Sequence, residues 1–165
     1  MFDRFGEIGS AEGINRAAAG LREEGDLEGL RALAEENGIY DPDIMGAFVA
    51  GDIPFLCDEM SAAIGKIDVE CKSVGCAEIL EDWAAYIRAR CMEDPEVARA
   101  VRRKGKSLSG CIAELLGWGF RHQHEVDRAI MEAAGVRAGR CTLGIPGMAT
   151  AKKIITGYYL GGGRA

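Results

Sequence analysis

Long apolar runs are missing from this chain. None approaches the roughly 18 residues needed to cross a bilayer, and Met1-Phe2-Asp3-Arg4-Phe5 lacks the charged-then-apolar order of a secretory leader. Both absences predict a soluble chain with no membrane partner, in a reducing, cytoplasmic compartment. There the six cysteines, at positions 57, 71, 76, 91, 111 and 141, stay as thiols. No C-x-x-C occurs among them; the nearest pair, Cys71 and Cys76, has four residues between its members. Cys57, Cys91 and Cys111 fall at apolar helical positions, where cysteine behaves as a small hydrophobe. This spacing favours buried structural thiols over metal ligands, and no metal or cofactor is expected.

Histidine is scarce as well. The only two stand in Arg121-His122-Gln123-His124-Glu125. On a helix, positions two apart point about 200° from one another, so the pair reads as a surface helix end and not as a shared metal site. Glu23-Glu24, Glu35-Glu36 and Asp58-Glu59 are paired in sequence only, because adjacent helical residues do not face each other. Gly117-Trp118-Gly119 is too short for a dinucleotide fingerprint. Gly144-Ile145-Pro146-Gly147 is not followed by the Lys-Ser/Thr of a phosphate-cradling loop. With no nucleophile and base in register and no split pair of carboxylates, the expectation is a binding protein with no catalytic residues.

Strand-like alternation and internal repeats are lacking too, and the pattern that remains is helical. Ser10 and Asp26 read as N-caps for stretches running towards Glu24 and Asn37, with Gly38 as a stop. A short piece follows Asp41-Pro42 and breaks at Gly51-Asp52-Ile53-Pro54. Asp58 to about Val69 carries Met60, Ala63, Ile64 and Ile67 on one stripe. Ala77 to Met92 carries Ile79, Leu80, Trp83, Ile87 and Cys91 at a period near 3.6. Pro95 opens the next helix, and Ser109 to about His122 follows with Leu108, Ile112, Leu115, Leu116 and Phe120. Asp127 to Ala134 closes at Gly135, residues 135–148 read as a structured turn or a very short strand, and a last helix covers Ala149 to Leu160. The predicted fold is all-α: a compact multi-helix bundle with a Gly-rich turn, or a very short hairpin, before the last helix.

Charge is unevenly spread. Residues 1–98 hold 22 acidic and 8 basic residues, a net of -14, while residues 99–165 hold 4 acidic and 12 basic residues, a net of +8. Such asymmetry fits a surface that meets a polyanion, or a bipolar molecule that pairs head to tail as a homo-oligomer. The cations cluster twice. Arg99, Arg102, Arg103, Lys104 and Lys106 make five within eight residues, with no acid among them. They form either a phosphate-contacting cluster for DNA or RNA or a solvated helix C-terminus. Arg137, Arg140, Lys152 and Lys153 form the second group. The stretch Gly144-Ile145-Pro146-Gly147-Met148-Ala149-Thr150-Ala151-Lys152-Lys153 resembles the helix-hairpin-helix DNA-binding motif, with Ala149 where the motif's second glycine belongs. In such a motif a glycine turn exposes backbone N–H groups at a helix start, where phosphate is favoured.

Lys106-Ser107-Leu108-Ser109-Gly110-Cys111-Ile112, followed by an amphipathic helix and a helical tail, resembles the PcfK-like family of mobile-element proteins. The resemblance extends over roughly residues 76–161, taking in Met92–Glu96 and the tail from Thr142 to Gly161. It implies a non-enzymatic helical protein carried on a mobile genetic element. The chain itself reads as an acidic N-terminal helical segment over residues 1–53 and a PcfK-like helical core with a basic C-terminal part over 54–165. One branch of that family comprises anti-CRISPR proteins that inhibit type II-A Cas9. Membership in that branch implies a Cas9 nuclease, or its guide-RNA/DNA complex, as partner. The other expectation is a nucleic-acid-binding accessory protein of conjugation or element maintenance.

Overall fold

The computed structural model describes residues 2–161. Nine helices and one two-stranded sheet account for the regular structure among them. The chain divides into two units between Ser109 and Gly110.

The first unit holds α1 (Ala11–Glu24), α2 (Leu27–Glu36), α3 (Pro42–Ala50), α4 (Glu59–Val74), α5 (Ile79–Glu93) and α6 (Pro95–Arg102). Short polar side chains start most of these helices. Ser10 accepts from the Gly13 N–H, Asp26 from Gly29, and Asp41 from Asp43 and Ile44. Asp58 and Ser61 form a reciprocal capping box at the start of α4. Asp94 ends α5 and caps α6 at once, with Pro95 in the first helical position. Gly25, Gly51 and Gly75 close α1, α3 and α4 in the left-handed conformation that only glycine adopts at no steric cost.

The core of this unit begins with Ile14, Ala18, Leu30, Leu33, Ala34 and Phe48, and continues through Leu56, Cys57 and Ala62. It therefore draws on both sides of residue 53. α4 packs against α5 and α6, presenting Ala62, Ala63 and Ile67. Trp83, Ile87 and Cys91 of α5 and Val97, Ala98 and Val101 of α6 are buried as well. α4 runs five residues past Val69, and the same buried face carries Lys66 and Glu70. At Gly65 a side chain would run into the Asn37 carbonyl at the end of α2, so two backbones meet there without intervening side chains.

The second unit takes up α7 (Leu108–Arg121) after its first two residues, then β1 (His124–Glu125), α8 (Arg128–Ala133), β2 (Thr142–Leu143) and α9 (Met148–Leu160). The two strands pair antiparallel, His124 opposite Leu143 and Glu125 opposite Thr142. The Gly-rich stretch thus supplies one strand, and its partner lies directly after α7. Gly119 of α7 and Gly144 after β2 are pressed together, and a Cβ on either would collide with the other's carbonyl. Gly144, one of the glycines that interrupt the helical period here, therefore serves a close backbone approach. Ala151, Ile155 and Tyr159 form the buried stripe of α9.

Candidate functional site

The basic stretch at the end of α6 does not form one surface. Arg102 is buried, with 1% of its surface exposed. Its Nε donates to the Ile8 carbonyl at 2.8 Å, one guanidinium nitrogen donates to the Ala62 carbonyl at 3.2 Å, and the other donates to the Asn37 side-chain oxygen. Phosphate cannot reach this group, which corrects its reading as a contact residue. The cause is α6's amphipathic pattern: Arg102 lies on the same side as Val97, Ala98 and Val101. Burial pulls the guanidinium below its ordinary pKa, and the carboxylates of Glu7 and Glu70 act in the opposite sense.

Arg99 is exposed and pairs with Glu59 at 2.7 Å. Arg103 and Lys104 are exposed, and Lys106 is half-buried. The carbonyls of Arg103 and Lys106 turn inward and accept from Nζ of Lys66. Lys66 itself is fully buried. Its charge is met by Glu7 at 2.6 Å, with Glu70 at 4.0 Å. Glu70 in turn accepts from the Leu108 N–H at 2.7 Å. Burial raises the Glu70 carboxyl, while the Leu108 N–H and the Lys66 charge pull it down; the net direction is up. This polar cluster ties residues 7–8, α2, α4 and the turn after α6 together. Each charge has partners, as buried charges require.

In the second unit Arg137, Arg140, Lys152 and Lys153 are all exposed. Arg140 faces Glu125 at 3.7 Å. The start of α9 has Gly147 as its cap residue with no side-chain hydrogen bond, so the glycine turn does open a helix there. Five large apolar side chains of the second unit are more than half exposed: Leu116, Phe120, Ile130, Leu143 and Ile145. Leu116 and Phe120, placed on the apolar stripe by the sequence period, stand four apart and share a helix face. His122 and His124 are exposed. The His122 ring stacks on Trp118 with centroids 4.2 Å apart.

Sequence reasoning passed over one cluster. Donor atoms of Cys71, Cys76 and Glu81 all lie within 4.8 Å of one another, at the turn from α4 to α5. Cys71 Sγ lies 3.2 Å from a Glu81 carboxylate oxygen. Burial, helped by hydrogen bonds with Cys76 and Glu81 and by their charge, pushes the Cys71 thiol up to about 12. Cys57 and Cys91 are pushed up to about 11, mainly by burial. None of these three thiols is an ionised nucleophile at neutral pH. The legible signal for the cluster was a glycine between two cysteines, with an acid in the first turn of the next helix.

Compared with protein-family models, curated proteins and solved structures, the chain matches none.

Proposed function

We propose that the chain is a non-catalytic binding protein of a mobile genetic element, and that its partner is a type II-A Cas9 nuclease or the nuclease's guide-RNA/DNA complex. The partner is suggested by the likeness of Lys106–Ile112 and the tail to PcfK-like proteins. The observation that carries a binding role is the surface of residues 110–161. Five large apolar side chains stand more than half exposed in that stretch, which also carries the exposed cations Arg121, Arg128, Arg137, Arg140, Lys152 and Lys153. Exposed apolar residues interleaved with arginine are the composition of recognition surfaces.

Charge by unit sharpens the assignment. Residues 1–109 hold 22 acidic and 13 basic residues, net -9, and residues 110–165 hold 4 acidic and 7 basic, net +3. The basic unit is the one suited to a nucleoprotein. A cleavage assay with purified Cas9, guide and target DNA, titrated with this protein, tests the reading. Cleavage falls as the protein approaches the nuclease concentration, and Leu116→Glu with Phe120→Glu relieves the inhibition. Unchanged cleavage at large molar excess removes the proposal for that nuclease.

The second reading, a nucleic-acid-binding accessory protein of conjugation or element maintenance, is favoured by one local feature. Gly147 opens α9 without a side-chain cap, and Lys152 and Lys153 follow on the same helix. A mobility-shift titration at two salt concentrations separates the readings, since direct nucleic-acid binding needs no Cas9 and weakens steeply with salt.

A further inference from the structure

We propose that Cys71, Cys76 and Glu81 form a binding site for a thiophilic divalent cation of the zinc class, with one coordination position left to solvent. The backbone brings the three donors together. Gly75 ends α4 in the left-handed conformation, and the Cys76 N–H donates to the Cys71 carbonyl at 3.0 Å, which folds Cys76 back over the helix end. Glu78 then turns the chain into α5 with φ of 51°, the one positive φ at a non-glycine residue among those described. Glu81 sits in the first turn of α5. A backbone held in a sparsely populated conformation at a convergence of donor side chains is where function is sought.

The geometry suits a small tetrahedral ion. Zinc bound at about 2.3 Å to sulfur and 2.0–2.2 Å to oxygen keeps its donors somewhat under 4 Å apart. The three donor atoms already lie within 4.8 Å of each other, close to the spacing such an ion needs. Two sulfurs and one oxygen select a borderline-soft cation over magnesium or calcium, which demand oxygen shells. Cys71 is buried, Cys76 half-buried and Glu81 exposed, so the site opens on one side for entry and for a water ligand.

The surroundings orient the carboxylate as outer partners orient metal ligands. One Glu81 oxygen accepts from Arg88 at 2.8 Å, leaving the other aimed at Cys71. Arg88 is fixed in turn by Asp68 at 2.7 Å. A divalent cation with two thiolates and one carboxylate carries one negative charge, and Arg88, shared between Glu81 and Asp68, lies beside it. As the two metal–sulfur bonds form, the two thiol protons pass to solvent, and Glu81 binds already ionised. The site is independent of the partner proposed above, and its failure leaves that reading untouched.

The test uses the full chain, reduced and stripped with a chelator, then titrated with cobalt(II) as a spectroscopic probe. One ion binds per chain, with sulfur-to-cobalt charge-transfer absorption and an intense tetrahedral ligand-field spectrum that zinc abolishes. Cys76→Ser, in the turn and outside the core, loses the charge-transfer band, and Cys141→Ser keeps it. Arg88→Leu removes none of the three metal donors, only the hydrogen bond that orients Glu81, and weakens binding by about 10-fold. No charge-transfer band in the reduced wild-type chain overturns the proposal, as does a band that survives Cys76→Ser. Recovery of residues 71 and 76 as a disulfide after purification in reductant overturns it too.

Discussion

Lys66 Nζ lies 2.6 Å from Glu7 Oε1, joining a fully buried ammonium in the middle of α4 to the segment ahead of α1. Burial alone would raise the Glu7 carboxyl. Hydrogen bonds from Lys66 and the Gly105 N–H, with the charges of Lys66 and Arg102, bring it below its ordinary value. A carboxyl lowered on folding contributes stability that is present above its unfolded pKa and lost as pH falls through the folded one. Glu70, raised on folding, acts in the opposite sense: protonation favours its buried form.

Glu7→Gln therefore costs about 1.5 kcal/mol at neutral pH, the low end for a charged hydrogen bond because Glu7 is itself partly in solvent. The deficit relative to wild type shrinks as the solution is acidified below the usual carboxylate range. Urea unfolding of both proteins at neutral and acid pH checks this. A deficit that does not change with pH would show that the pair contributes packing and not charge.

Arg102 is held by three acceptors from three parts of the first unit: Ile8, Asn37 and Ala62. Arg102→Met leaves those acceptors unsatisfied and costs about 3 kcal/mol. Lys104→Ala, two residues on and exposed, stays within about 0.5 kcal/mol of wild type. Chemical denaturation midpoints measure both, and equal effects would place Arg102 at the surface.

The helices were legible because their ends are written in short polar residues and glycines. Ser10, Asp26, Asp41 and Asp127 all accept backbone N–H groups at helix starts, and Gly38, Gly51 and Gly135 adopt positive φ where the pattern stops. What a helical period cannot report is a charge turned inward. Lys66, Glu70 and Arg102 lie on buried faces because they find one another, or backbone carbonyls, across the fold. Leu116 and Phe120 fail in the opposite direction: the stripe is real, but they are left exposed. Cys71 and Cys76 looked like ordinary thiols because Glu81, the third member of their cluster, arrives only through the strained turn at Glu78.

Two glycines of α7 separate propensity from packing. At Gly117 an added Cβ meets only the flexible end of Arg121, at 3.3 Å. Gly117→Ala is therefore neutral or stabilising by up to about 1 kcal/mol, the helix-propensity gain. At Gly119 the same change strikes the Gly144 carbonyl, which is backbone and cannot swing away. Gly119→Ala costs about 2 kcal/mol despite the better propensity. Amide exchange at residues 124–125 and 142–143 reports it, since the strand pair loosens first. Matching stabilities for the two variants would contradict the close approach.

The exposed cations give the last test. Lys153 and Arg137 are exposed in the second unit, and Arg103 and Lys104 are exposed in the first. If the second unit meets phosphate, Lys153→Glu with Arg137→Glu lowers affinity for a nucleic acid or nucleoprotein. It also reduces the slope of log affinity against log salt by about 1 for each phosphate contact removed. Arg103→Glu with Lys104→Glu, carrying the same change in net charge, leaves that slope near wild type. Binding titrations at several salt concentrations distinguish the two sets. Equal losses would mean that net charge alone governs attraction, and the contact would then lose its address in the second unit.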